Sequence, residues 1–103
     1  MIRHIFIGTF LQGVSDVIKA QTLADMKAMK CQIPGIEALE VGFSTGWERP
    51  KNQIVMTVDV ATKEDFDVYM THPYHRDYIA KLGEMYFDTA SFVAVQFIFE
   101  EDV

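Results

Sequence analysis

The segment Tyr69-Met70-Thr71-His72-Pro73-Tyr74-His75 holds the closest pair of histidines in the chain. Imidazole changes charge near neutral pH, so it is the side chain best suited to moving protons there. Pro73 forces a bend between two helical stretches and redirects the side chains around it. Three chemistries are open to the pair. Both can be half-exposed loop residues that help to cap the next helix. His75 can be an acid/base group, because it shares a stripe with Tyr78, Ile79, Leu82 and Tyr86 that aims it inward. The two can share a metal ion, but a third ligand is not evident and no HExxH or paired CxxC is present. No bound metal and no cofactor are therefore expected. Tyr69 is either a packing aromatic or a hydroxyl donor to a substrate carbonyl. His4, on a strand face with Ile2 and Phe6, is either a core histidine with a satisfied hydrogen bond or a second polar group in the same pocket. Cys31 has no base beside it and reads as structural. Ser44 and Ser91 lack a nucleophile-elbow context, and the glycines form no phosphate-binding signature.

These residues must be held by a framework, and the hydrophobic periodicity supplies one. Residues 2–11 alternate as a strand. Ser15 is placed to cap a helix over 16–32, whose inward face is Ile18, Thr22, Met26, Met29 and Ile33. Pro34-Gly35 ends it. Strands follow at 36–46 and 53–60, joined by a polar turn around Trp47-Glu48-Arg49-Pro50-Lys51-Asn52. Thr62-Lys63-Glu64-Asp65 resembles a capping box opening a helix to Met70. A helix from Tyr74 to Tyr86, a strand over 89–99 and an acidic end, Glu100-Glu101-Asp102, complete the chain.

The order strand, helix, strand, strand, helix, strand is the ferredoxin-like pattern, an α+β fold with a four-stranded antiparallel sheet and both helices on one face. With 103 residues the chain is one domain, 1–103. Its strands, however, are apolar on both faces. Ile54, Met56, Val58 and Val60 oppose Gln53, Val55, Thr57 and Asp59, and Phe92, Ala94 and Ile98 oppose Val93, Val95, Phe97 and Phe99. Such strands are buried on both sides. A second copy of the chain is the simplest cover, giving a homodimer with a barrel-like interface. The net charge of −6 argues against nucleic acid and anionic membranes as partners. No apolar run approaches membrane-spanning length, and no secretory signal is visible. A lone cysteine suits the reducing cytoplasm. With 6 Met and 8 Phe, the apolar content suits a cavity lining as well as a core.

Over nearly its whole length the chain resembles the stress-responsive dimeric α/β-barrel (Dabb) family. The resemblance rests on His4 in the first strand, Ile33-Pro34-Gly35-Ile36, Val41-Gly42, and above all Tyr69 followed by His72-Pro73-x-His75. It implies a ferredoxin-like protomer in a dimeric barrel. In the family's plant polyketide cyclase, which needs no cofactor, the histidine matching His75 is the base, the tyrosine matching Tyr69 assists it, and the histidine matching His4 faces the cavity. That enzyme's further cavity histidine is matched here by Gln53, which cannot exchange a proton near neutral pH. The expected site is therefore His75 and Tyr69 as catalytic residues, with His4, Gln53, His72, Tyr86 and Met26 as substrate contacts. The expected activity is cofactor-independent, cyclase- or lyase-like acid/base chemistry on a small carbonyl compound. The alternatives are a non-catalytic stress or assembly protein of the same fold, and a cofactor-free monooxygenase.

Overall fold

A computed structural model describes residues 1–48 and 52–100. Four strands, β1 (Ile2–Thr9), β2 (Ile36–Phe43), β3 (Gln53–Val60) and β4 (Val93–Ile98), form one antiparallel sheet in the order β2-β3-β1-β4. Helix α1 (Asp16–Gln32) links β1 to β2; α2 (Lys63–Thr71), a π-helical turn (Tyr74–Ile79) and α3 (Ala80–Tyr86) link β3 to β4. This is the ferredoxin-like arrangement expected from the element order.

The helix starts follow their capping residues. Ser15 accepts from the Ile18 N–H and Thr62 from the Asp65 N–H, each satisfying a donor that the first turn leaves unpaired. The inward face of α1 is the periodic one: Met26, Met29 and Ile33 are buried against Ile54, Met56, Val58 and Val60 of β3. On the other side of α1, Ala20, Ala24 and Cys31 are exposed.

Three strand boundaries differ from the periodicity. β1 stops at Thr9, because Phe10 makes only an isolated bridge to Phe87. β2 stops at Phe43, where the Ser44 and Thr45 hydroxyls accept from the backbone N–H groups of Gly46 and Trp47 and turn the chain. β4 begins only at Val93, since Asp88 holds a turn by accepting from the Ala90 and Ser91 N–H groups. Of the polar turn and the acidic end, Arg49, Pro50, Lys51, Glu101 and Asp102 lie outside the described residues.

The register sorts the two faces. His4 pairs with Val58 and Gln96, and Phe6 with Met56 and Ala94, all on the side that carries the helices, with Gln96 and Ala94 on the exposed edge strand β4. Ile5 pairs with Thr57 and Val95, and Ile7 with Val55 and Val93, on the opposite face. There Val93, Val95 and Phe97 form an exposed apolar strip. At one end of it Arg3 donates in bidentate fashion to Asp59, at 2.7 and 2.9 Å, and stacks over Phe99.

Candidate functional site

Strand β1 carries His4 under the helices, where it is 4% exposed. Burial pushes its pKa down to about 4, and the neighbouring His75 adds to the effect. The imidazole is therefore neutral near pH 7. Its Nδ1 accepts from the side-chain amide of Gln96, the cross-strand partner on β4, at 2.9 Å.

Helix α2 buries one side chain fully, Tyr69, at 0% exposure. Its ring touches His4 (5.5 Å between centroids) and His75 (4.5 Å) and so lies against both imidazoles. Burial raises its pKa well above the usual phenol range, so the hydroxyl stays protonated. That hydroxyl has no hydrogen-bond partner among the described residues. A buried hydroxyl left unpaired costs about 1–3 kcal/mol.

His75 owes its place to the bend. The helix α2 ends at Thr71, His72 is extended, and Pro73 starts the next segment. The chain resumes as a π turn, a wide turn often found at functional positions. Two hydrogen bonds tie that turn to α1: the Tyr74 hydroxyl donates to the Asp25 carbonyl and the Tyr78 hydroxyl to the Asp25 carboxylate. The His75 ring turns back onto α2, with Nδ1 3.2 Å from the Met70 carbonyl oxygen. Burial lowers its pKa, and the bond to Met70 opposes that shift.

A cavity of about 380 Å³ opens beside these three side chains. His4, Tyr69, His75 and Met26 line it. Its remaining walls are mostly apolar, with Phe6, Met56, Ile79, Phe87 and Phe92 prominent. The aromatic floor depends on Gly8, where an added Cβ would come within 2.9 Å of the Phe6 ring. Among the described residues, Glu84 is the only charged one on the wall. Among the described residues, no group of three or more His, Cys, Asp or Glu side chains is placed to hold a metal ion.

The other expected contacts lie elsewhere. Gln53 is one register step off the Ile54–Met56–Val58 row, and its amide donates to the Thr9 hydroxyl at 3.2 Å. It lines a separate cavity of about 240 Å³ with Phe10, Lys19 and Asn52. His72 is half-buried, and its Nδ1 accepts from the Tyr74 N–H, which is the capping role. Tyr86 packs against the core without reaching the cavity, and Tyr78 is exposed. The π turn explains both displacements. Its wider pitch breaks the 3.6-residue phase, so the wall is built from Ile79, Ala80, Gly83, Glu84 and Phe87 rather than Tyr78, Leu82 and Tyr86. Phe87 and Phe92 at the cavity and Gln96 beside His4 are not among the residues expected from the sequence. Gln96 had a signal, as the one polar side chain between Phe92 and Phe99.

A ferredoxin-like sheet with a His–Tyr–His cavity under its second helical crossover defines the class of protein. The chain belongs to the stress responsive A/B barrel domain family, whose model matches residues 2–98. No curated protein sequence matches it. Among solved structures it is similar to a dimeric ferredoxin-like protein of unknown function from Thermobifida fusca, at 23% identity and TM-score 0.82, covering 95% of this chain and 90% of that one. It is also similar to a hydroxynitrile lyase from Passiflora edulis, at 18% identity and TM-score 0.82, covering 99% and 95%. An antibiotic biosynthesis monooxygenase matches at 10% identity and TM-score 0.77, covering 98% and 100%. At these identities the likeness is one of fold. No helix among the described residues is long and apolar enough to cross a membrane.

Proposed function

We propose that the cavity is a cofactor-independent acid/base site for a small, uncharged carbonyl compound, carried by each protomer of a homodimer. One observation carries the reading: the wholly buried, unpaired Tyr69 hydroxyl, on a ring that packs against His75 and helps to line a cavity with mostly apolar walls. A polar group left without a partner at that cost is explained by a ligand that supplies one. The cavity is large enough for a ring-sized ligand. Among the described residues its wall has no lysine or arginine and one glutamate, so it does not favour an anion.

The chemistry follows from the protonation states. The Met70 carbonyl can only accept, so the neutral His75 ring carries its proton on Nδ1 and keeps a lone pair on Nε2. That lone pair takes a proton from the carbon next to the substrate carbonyl. The C–H electron pair forms a carbon–carbon double bond, and the carbonyl pair moves onto oxygen. The Tyr69 hydroxyl donates to that oxygen, and the His75 imidazolium returns the proton. The monooxygenase alternative has only the fold in its favour. The homodimer is supported by the uncovered strip of Val93, Val95 and Phe97, and by a similar structure that is dimeric. The exposed Cys31 thiol suits a reducing cytoplasm.

The test is deuterium exchange at the α-carbon of small ketones such as acetophenone in heavy water, followed by NMR. Catalysed exchange is expected, and His75→Ala should slow it on the order of 10²–10⁴-fold. Equal rates for wild type and His75→Ala across the ketones would sink the proposal.

A further inference from the structure

His4 and His75 each have one ring nitrogen engaged, and by opposite kinds of partner. A carbonyl oxygen faces Nδ1 of His75; an amide N–H of Gln96 faces Nδ1 of His4. An amide N–H only donates, so Nδ1 of His4 keeps its lone pair and the ring proton sits on Nε2. Nε2 has no hydrogen-bond partner among the described residues, and the side chain lines the cavity. Two chemically identical rings thus present opposite atoms, a lone pair from His75 and an N–H from His4.

We infer that Gln96 is a positioning residue that fixes His4 as an Nε2–H donor, so that the cavity holds one base, His75, and two donors, His4 and Tyr69, for the oxygen of an uncharged carbonyl substrate. The substrate half rests on the function proposed above; the tautomer half stands without it. When His75 removes the α-proton, the oxygen that gains the electron pair accepts from both the Tyr69 O–H and the His4 Nε2–H. Neither donor has to give up its proton. Such donors act where charge develops, and in a water-poor site they are worth more than in water.

The position of Gln96 suits this task. It stands directly across from His4 in the β1–β4 register, so the strand pairing delivers its amide to the ring. Burial of His4 favours the uncharged ring, which the lone pair facing Gln96 at Nδ1 requires. A carboxylate at position 96 would accept from Nδ1–H and turn the Nε2 lone pair toward the cavity, changing the donor into a second base.

Long-range proton–nitrogen NMR of protein with 15N-labelled histidine reads the tautomers directly at neutral pH. The expected result is Nε2–H for His4 and Nδ1–H for His75. Gln96→Glu should switch His4 to Nδ1–H while His75 keeps its pattern, and Gln96→Leu should leave His4 a mixture of both tautomers. With acetophenone as the probe, Gln96→Glu should lower α-proton exchange on the order of 10²-fold, as expected for one lost donor. An Nδ1–H tautomer for His4 in the wild type would overturn the inference. So would a Gln96→Glu protein with the wild-type tautomer and exchange rate. A wild type that exchanges no ketone proton would defeat the acid/base reading instead, and the spectra would still decide the tautomer.

Discussion

The two faces of the sheet use the same strands for different work. On β1, His4 and Phe6 sit under the helices and line the cavity, while Ile5 and Ile7, one step away, lie on the bare face. Over β3 and β1 the covered face is finished within one chain, where α1 and α2 lay Met26, Met29 and Tyr69 over Ile54, Met56 and Val58, whereas the edge strand β4 stays exposed on both faces. The bare face is not finished in this way. Val95 is 48% exposed and has apolar neighbours on β1. The difference shows that the period-2 alternation of a strand can separate a chemical site from an assembly surface by a single residue. It also gives a way to damage one without the other.

The largest effect is expected from Val95→Asp. If the bare face meets a second copy, the new carboxylate is buried without a partner at a cost of about 3–5 kcal/mol. Sedimentation should then show the wild type as a dimer and the variant as a monomer at micromolar concentration. Ala94→Asp is the matching cut on the other face, beside Phe6 at the cavity wall. It should leave the dimer intact and abolish ligand binding. A wild-type monomer, or a dimer that survives Val95→Asp, would break the assignment of the bare face to assembly.

A smaller effect concerns pH, because both histidines with lowered pKa sit on the covered face. His4 falls from its ordinary 6.5 to about 4 in the folded protein. Between those values the unfolded chain binds more protons than the folded one, so stability falls as pH drops. The contribution is fully present above pH 6.5 and is lost as pH approaches 4, and amounts to about 3 kcal/mol for His4. His75 adds a loss of the same sign. Urea unfolding at pH 7 and pH 4.5 should show this decline, and His4→Gln should flatten it. An equal decline in His4→Gln would place the acid sensitivity elsewhere, among the carboxylates.

Most of the frame was legible because it depends on short-range rules. Ser15 and Thr62 mark helix starts by their own side-chain hydrogen bonds, and β3 matches its apolar run residue for residue. The two-faced pattern of β4 was visible, but whether Ala94 or Val95 faced the helices depends on register with β1, which the sequence of one strand does not carry. The site was legible in His4, Tyr69, His75 and Met26, whose positions follow from a strand face, a helix face and the bend at Pro73. Tyr86 was misplaced because the stripe assumed an unbroken 3.6-residue helix through a segment that contains a π turn. The resemblance implies a cavity position for Gln53, but its own strand turns it away from the row that faces the cavity. Gln96 acts across a long-range strand pairing, and no local pattern encodes that contact.

The smallest effect separates packing from function at one atom. Tyr69→Phe removes only the hydroxyl and keeps the ring that touches His4 and His75. Were that hydroxyl a structural bond, its loss would cost about 0.5–1.5 kcal/mol. It has no partner among the described residues, so removing it relieves a buried, unpaired group. The free protein should therefore unfold at the same urea concentration as the wild type or a slightly higher one, a gain of no more than about 1 kcal/mol. Ligand affinity and α-proton exchange should move the other way, because the substrate oxygen loses a donor. That opposition, unchanged or higher stability with lower activity, is not what a packing tyrosine gives. A Tyr69→Phe protein that loses stability and keeps its activity would make the covered face a core like any other, and the contrast between the two faces would then be one of packing alone.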